Sequence, residues 1–189
     1  RKRQLARGRP PVYDRSGLDL TDEERKKYED EGRKPHWRFK LAHEDIAWKD
    51  LVRGDVHFQG ENLSDPVLRR EDGSWLYMLP SVVDDIDMGV THVIRGEDHV
   101  ANTAVQIQFF KALGAEPSGF AHLPLLTDIS GKGLSKRSGS ITLESMRDEG
   151  IEAMALNNFL GQLGGGDNET VHGTLDALAQ DVDIAQYGR

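Results

Sequence analysis

A chain of 189 residues with a formal charge of −8 and 37% hydrophobic residues suits one large or two small soluble domains with a modest core. No apolar run approaches the roughly 20 residues a bilayer-spanning helix needs, and the basic opening RKRQLARGRPP has no apolar stretch after it, so neither a membrane helix nor a signal peptide is expected and the cytoplasm is the expected compartment. Zero cysteines exclude disulfides and thiolate metal sites, and the seven histidines form no close-spaced set of the zinc-binding kind, so no structural metal is expected.

The charge is uneven along the chain. Residues 1–40 carry 13 Lys/Arg against 8 Asp/Glu, a balance of +5, while residues 41–189 carry 11 against 24, a balance of −13. The front end could face an anion, although Glu23 to Lys27 read equally as a solvated helical face. Turn signals at Gly8 to Pro11 precede a short helix from Thr21, whose first turn holds Asp22, Glu23 and Glu24. Strands follow: Trp37, Phe39 and Leu41 alternate with polar residues, Val56 and Phe58 do the same, and Asp72-Gly73 between Val67-Leu68 and Trp75-Leu76-Tyr77 marks a hairpin. Residues 1–75 read as a small α+β unit.

From Tyr77 the pattern changes. Val82-Val83 and His92-Val93-Ile94 read as short buried strands around the turn-like DDIDMG, and Asn102 as the cap of a helix with Val105, Phe109, Ala112 and Leu113 on one face, ended by Gly114. His122 to Leu126 reads as a strand running into SGKGLSKRSGS, after which Leu143 to Glu149 and Ala153 to Leu163 read as helices, the second striped by Leu156, Phe159, Leu160 and Leu163. Strand, helix, strand, loop and helix in that order is α/β organisation. From Gly164 the sequence opens GGGDNE and ends in mixed polar and apolar residues. With no initiator methionine and a helix-like pattern barely ended at DVDIAQYGR, the chain reads as a piece of something larger, and expression boundaries fit equally.

Two stretches carry the chemistry. In SGKGLSKRSGS, glycine and serine let backbone N–H groups and Lys132, Lys136 and Arg137 close around a polyanion such as a phosphate chain. The P-loop pattern fails, because Gly131-Lys132 is followed by Gly133 and Leu126 stands where the first glycine belongs. Taken alone, the loop reads equally as a solvated linker with incidental cations. In HVIRGEDH, residues 92–99, a strand ends on Arg95, Glu97, Asp98 and His99, where open α/β sheets place ligands. Such groups are costly unless they bind something or pair among themselves, and both readings stand. Tyr77 reads by pattern as a core residue with a satisfied hydroxyl, with a ligand contact as the alternative.

Together these residues carry a resemblance. The stretches LYMLPSVVDDIDMGVTHVIRGEDHVANTAVQIQFFKALG, FAHLPLL and GLSKRSGSITLESMRDEGIEAMALNNFLGQLG, with GRPPVYDRSG and LVRGDV upstream, resemble the bacterial glutamyl-tRNA synthetases, which are class I aminoacyl-tRNA synthetases, over essentially the whole chain. The resemblance implies an α/β fold: the second half of a Rossmann-type catalytic domain over residues 76–164, an inserted α+β domain that binds the tRNA acceptor end over 1–75, and the start of a stem-contact region over 165–189. It implies ATP-dependent attachment of L-glutamate to tRNA through a glutamyl-adenylate, with ATP and Mg2+, no zinc, no membrane and a monomer. GLSKR matches the second class I signature, KMSKS or KLSKR, a loop that holds the ATP triphosphate, so that Lys136 and Arg137 would stabilise the departing pyrophosphate. Tyr77, Arg95 and Ser81 match positions on glutamate, Arg95 being suited to its side-chain carboxylate. Asp98 and His99 match positions near ATP, and Leu126 the strand-end residue whose backbone addresses adenine.

Three departures accompany the resemblance. Gly133 replaces the first lysine of the signature, Ser81 stands at a position that varies in the family, and the cysteines that bind zinc in some relatives are absent, with Ser16 near one expected site. The first signature, HIGH, would lie upstream of Arg1 and the anticodon-binding domain beyond Arg189, so the isolated chain is expected to be inactive. Competing readings are an RNA acceptor-end binding module, a generic phosphate-binding α/β protein and a tRNA-modifying glutamyl-Q paralogue.

Overall fold

The computed structural model describes residues 6, 8, 11–127, 131, 142–163 and 170–188. They form a mixed α/β fold whose chain divides into two units: Arg1–Trp48, Val56–His92 and Ala101–Ser118 make the first, and Lys49–Asp55, Val93–Val100 and Gly119–Arg189 the second. In chain order the described helices and strands are α1 (Asp22–Asp30), β1 (Trp37–Arg38), β2 (Ile46–Asp50), β3 (Gly54–Phe58), β4 (Val67–Arg69), α2 (Met78–Asp87), β5 (His92–Gly96), α3 (Val100–Ala112), β6 (Gly119–Leu123), α4 (Leu143–Asp148), α5 (Ala153–Gln162) and α6 (Leu175–Asp181). Short 3-10 turns occupy Ser16–Leu18, Gly60–Asn62, Glu97–His99 and Ile184–Gly188. The strands make a two-stranded sheet, β1-β4, and a four-stranded sheet in the order β3-β2-β6-β5. In the latter β2 and β6 run parallel, with Asp50 opposite Phe120.

In the first unit the expected helix after Thr21 is α1. The Thr21 hydroxyl accepts from the Glu24 N–H and the Glu24 carboxylate accepts from the Thr21 N–H, which satisfies two amides left over at the helix start. The alternation from Trp37 yields only the two-residue β1, paired antiparallel with β4. Phe39 turns instead onto Phe109, edge to face at 4.8 Å, and Leu41 is buried with its N–H on Asp65. The hairpin at Asp72-Gly73 is present, with Gly73 at φ +85, but its second arm is a single bridge, Arg69 opposite Trp75.

Two expectations for this unit are corrected. Val82-Val83 is not a strand but the middle of α2, where Leu79, Val82, Val83 and Ile86 fall at helical spacing and Pro80 occupies the first turn, where its missing N–H has no intrahelical partner to lose. Asn102 is not a cap, because α3 continues directly from the Glu97–His99 turn and Asn102 lies inside it. Gly114, at φ +75, does end α3. From Thr103 to Phe110 that helix is buried on every side. Its polar Gln108 is matched by the Ala42 main chain, donating to the carbonyl at 3.2 Å and accepting from the N–H at 2.7 Å.

In the second unit β5 is a strand as expected, though not a buried one: it ends the sheet order, and His92 and Ile94 face outward while Val93 and Arg95 are half-buried. The strand read from His122 to Leu126 stops at Leu123, since Pro124 has no N–H to give a ladder. Thr142 caps α4 and Thr174 caps α6. Of the apolar stripe of α5 only Leu156 is half-buried, while Phe159, Leu160 and Leu163 are exposed. Asn158 is the buried residue, with its amide on the carbonyls of Met154 and His172, and Gly161 lets Leu178 and Val182 approach. Beyond α6, Gly188 lies so near Val52 that any Cβ would overlap the Val52 carbonyl oxygen.

Candidate active site

In the second unit, the carboxyl end of β5 holds Arg95. Its Nε donates to Nε2 of His122 on β6 at 3.2 Å, and its guanidinium carbon lies 5.8 Å from the centre of the Phe120 ring. The opposite ring nitrogen of His122, Nδ1, is 2.5 Å from Oδ2 of Asp50 at the end of β2. His122 is 0% exposed and Asp50 2%. The other Asp50 oxygen accepts from the backbone N–H groups of Val52, Arg53 and His122, each at 3.1 Å. Burial alone would raise the Asp50 pKa, but the His122 ring and the three amides together outweigh it and hold the carboxyl below its ordinary value. Asp50 is therefore a carboxylate. Because Arg95 can only donate, His122 Nε2 must be the accepting nitrogen, which puts the ring proton on Nδ1, donated to Asp50.

The rest of RGEDH turns outward. Glu97 pairs with Arg53 at 2.7 Å, with both groups substantially solvent-exposed. Asp98 and His99 approach within 3.7 Å of each other. Gly96 has an ordinary extended backbone, and a Cβ there would sit 2.7 Å from Asp98 Oδ1 and 2.8 Å from Leu125 Cδ2, so those two side-chain ends would have to turn aside. Leu126 lies beyond the end of β6 and is 49% exposed.

In the first unit, Tyr77 leads into α2 and is 53% exposed, which corrects its reading as a core residue. Its hydroxyl accepts from the Asn102 amide at 2.7 Å. Ser81, one turn along, donates its N–H to the Tyr77 carbonyl and is half-buried. The same unit has a cleft of about 650 Å3 lined by the cations Arg25, Arg33, Lys34, Arg38 and Lys40 with Tyr13, Tyr28 and His36, and by two carboxylates, Glu29 and Asp65, the latter paired with Arg15. Two of these cations stack on tyrosines, Arg33 over Tyr28 at 4.6 Å and Arg38 over Tyr13 at 4.3 Å.

Lys136, Arg137, Lys132 and Gly133 lie outside the described residues. Sequence reasoning singled out Arg95 but missed Asp50 and His122. The signal for His122 was its place in the apolar run FAHLPLL, where a ring needs a polar partner, but nothing local points to an aspartate 72 positions away. Among the described residues no group of three or more His, Cys, Asp or Glu could hold a metal ion, and no helix is long and apolar enough to cross a membrane.

A strand-end arginine whose Nε is held by a buried His–Asp pair keeps its remaining donors for an anion. Residues 1–177 match the family of class I tRNA synthetases (E and Q), catalytic domain, and the chain belongs to it. It is 60% identical over 185 residues to the glutamate–tRNA ligase of Azospirillum brasilense, covering 97% of this chain and 42% of that protein. It is 57% identical over 189 residues to glutamate–tRNA ligase 1 of Rhodospirillum rubrum, covering 100% and 43%. The fold superposes with a TM-score of 0.78 on a crystal structure of a glutamate tRNA ligase from Elizabethkingia meningosepticum in complex with its amino acid, at 29% identity over 99% of this chain and 43% of that one. The chain thus spans about two fifths of the length of the curated relatives it matches.

Proposed function

We propose that this chain supplies the glutamate site and the triphosphate-binding part of the ATP site of a glutamate–tRNA ligase. The α-carboxylate of glutamate attacks the α-phosphorus of ATP, pyrophosphate departs, and a terminal hydroxyl of tRNA then attacks the adenylate carbonyl and releases AMP. The observation that carries this reading is Arg95, fixed through Nε at the end of β5 in a chain whose relatives at 57–60% identity are glutamate–tRNA ligases. Arg95 receives the side-chain carboxylate of glutamate, and the resemblance assigns Tyr77 and Ser81 to glutamate as well. Asp98, His99 and the Leu126 backbone serve ATP, while Lys136 and Arg137 neutralise the charge that develops as pyrophosphate leaves. Mg2+ accompanies ATP and screens its phosphates.

On this reading residues 1–75 receive the acceptor end of tRNA, 76–164 are catalytic, and 165–189 begin the stem-contact region, in a monomeric cytoplasmic enzyme. The cationic, tyrosine-lined cleft supports the RNA-binding role of the first part. A glutamyl-Q paralogue shares the chemistry and differs in the acceptor nucleoside, so charging of glutamate tRNA distinguishes the two.

In the full-length protein, Lys136→Ala should slow glutamyl-adenylate formation about 100-fold, the usual loss when a preorganised charge-stabilising group is removed. Pre-steady-state measurement of adenylate formation checks it, and an unchanged rate removes Lys136 from this role.

A further inference from the structure

The two least exposed polar groups beside Arg95 have no part in the chemistry described so far. We propose that Asp50 and His122 are positioning residues: the Asp50 carboxylate fixes the tautomer of His122, and His122 in turn fixes the guanidinium of Arg95 through Nε. The inference rests on the reading of Arg95 as the glutamate-binding residue.

The direction of each hydrogen bond makes the argument. A guanidinium has donors only, so the nitrogen of His122 that meets Arg95 must accept. An imidazole that accepts at Nε2 carries its proton at Nδ1, and Asp50 Oδ2 is the acceptor placed at Nδ1. Asp50 is itself pinned by three backbone N–H groups on its other oxygen, one of them from His122, so the carboxylate and ring are fixed relative to each other by two separate bonds. The chain Asp50–His122–Arg95 joins the ends or interiors of β2, β6 and β5 within one unit. Contact is made at Nε, on the stem side of the guanidinium, so it sets the rotation of the planar fork about its stem. A planar, bidentate donor is sensitive to that rotation in a way a point charge is not.

Asp50→Asn tests this with almost no change of shape. The asparagine oxygen keeps the backbone amides, but its NH2 now faces His122 Nδ1. The ring is forced into the opposite tautomer, with an Nε2–H against the Arg95 Nε–H. In the full-length protein the KM for glutamate should rise about 10- to 100-fold, the usual cost of losing an orienting partner behind a ligand-binding group, with kcat at saturating glutamate and the KM for ATP each within about threefold. The 15N shifts of His122 in histidine-labelled protein should move from the Nδ1–H to the Nε2–H form.

A second pair of variants covers failure of Asp50→Asn to fold. His122→Asn keeps a donor for Asp50 and loses the acceptor for Arg95, so it should raise the glutamate KM; His122→Gln, whose side-chain oxygen reaches the Nε2 position, should restore it to within about threefold. A glutamate KM unchanged in Asp50→Asn and His122→Asn, while Arg95→Ala raises it, overturns the positioning role alone. Parallel losses for glutamate and ATP that follow a lowered melting temperature overturn it in favour of a purely structural pair. An Arg95→Ala variant with unchanged glutamate KM overturns the underlying assignment as well.

Discussion

Asp65 shows how fully a carboxylate must be matched before folding can remove it from water. It is 4% exposed, and Arg15 grips it with Nε on one oxygen and a terminal nitrogen on the other, both at 2.8 Å, while the Leu41 N–H adds a third bond at 3.0 Å. Arg15 holds this grip from a left-handed backbone, φ 60, a conformation few residues other than glycine adopt. Burial would raise the Asp65 pKa, but Arg15 and the Leu41 amide overcome it and leave the carboxyl below its ordinary value, as at Asp50. Both groups therefore bind a proton more weakly folded than unfolded. Their stabilisation is complete above the ordinary aspartate range, about 3.9, and is lost as pH falls through the lowered folded values. The stability gap between the wild-type protein and Asp65→Asn should narrow from pH 6 towards pH 3, measured as the difference in urea midpoints. Removing either partner is not symmetrical. Arg15→Ala strands a buried carboxylate, whereas Asp65→Ala leaves a cation whose side chain, 21% exposed, has a route to water, so Arg15→Ala should lower the melting temperature more.

Helix α1 owes its start to local chemistry rather than to packing, since only Tyr28 in it is even half-buried. Thr21→Ala should cost about 1 kcal/mol of local stability, read as roughly fivefold faster hydrogen exchange at the first-turn amides with little change in global melting; unchanged exchange removes the cap from the account. That helix was legible because its signals sit within four residues. Helix α2 was not read correctly, although Leu79, Val82, Val83 and Ile86 hold the helical period, because a β-branched pair beside turn-like DDIDMG also fits a short strand and the sequence does not say which neighbour it will meet. The α5 stripe was legible only at Leu156, which is half-buried, because the fitting within the unit is done by the Asn158 amide on the His172 carbonyl and by Gly161 beside Leu178 and Val182, where hydrophobicity gives no sign of it. At the candidate site, the exposed strand-end residues Asp98 and Leu126 were named from their positions in motifs. Buried Asp50 could not be, because what identifies it is a hydrogen bond spanning 72 positions.

Charge and cleft together make the last prediction. The chain is net acidic, yet five cations of residues 25–40, Arg25, Arg33, Lys34, Arg38 and Lys40, line the 650 Å3 cleft in the first unit against two carboxylates, Glu29 and Asp65. Arginines stacked on tyrosine rings have their stems fixed and present donors at the cleft wall, next to aromatic faces on which a base can stack. If this cleft receives the acceptor end of tRNA, affinity must depend on salt, because every neutralised phosphate releases counterions. Arg33→Ala and Lys34→Ala should each weaken tRNA binding and reduce the slope of log affinity against log salt by about 0.7–0.9 per lost phosphate contact. Lys34→Arg should keep the slope, since charge and reach are conserved, and none of the three should change the KM for glutamate by more than about twofold, because neither residue is among those assigned to glutamate, Tyr77, Ser81 and Arg95. Filter-binding titrations from 50 to 200 mM salt separate the possibilities. Parallel salt lines for wild type and the alanine variants would place the RNA elsewhere and leave the front-end charge as a solvated surface.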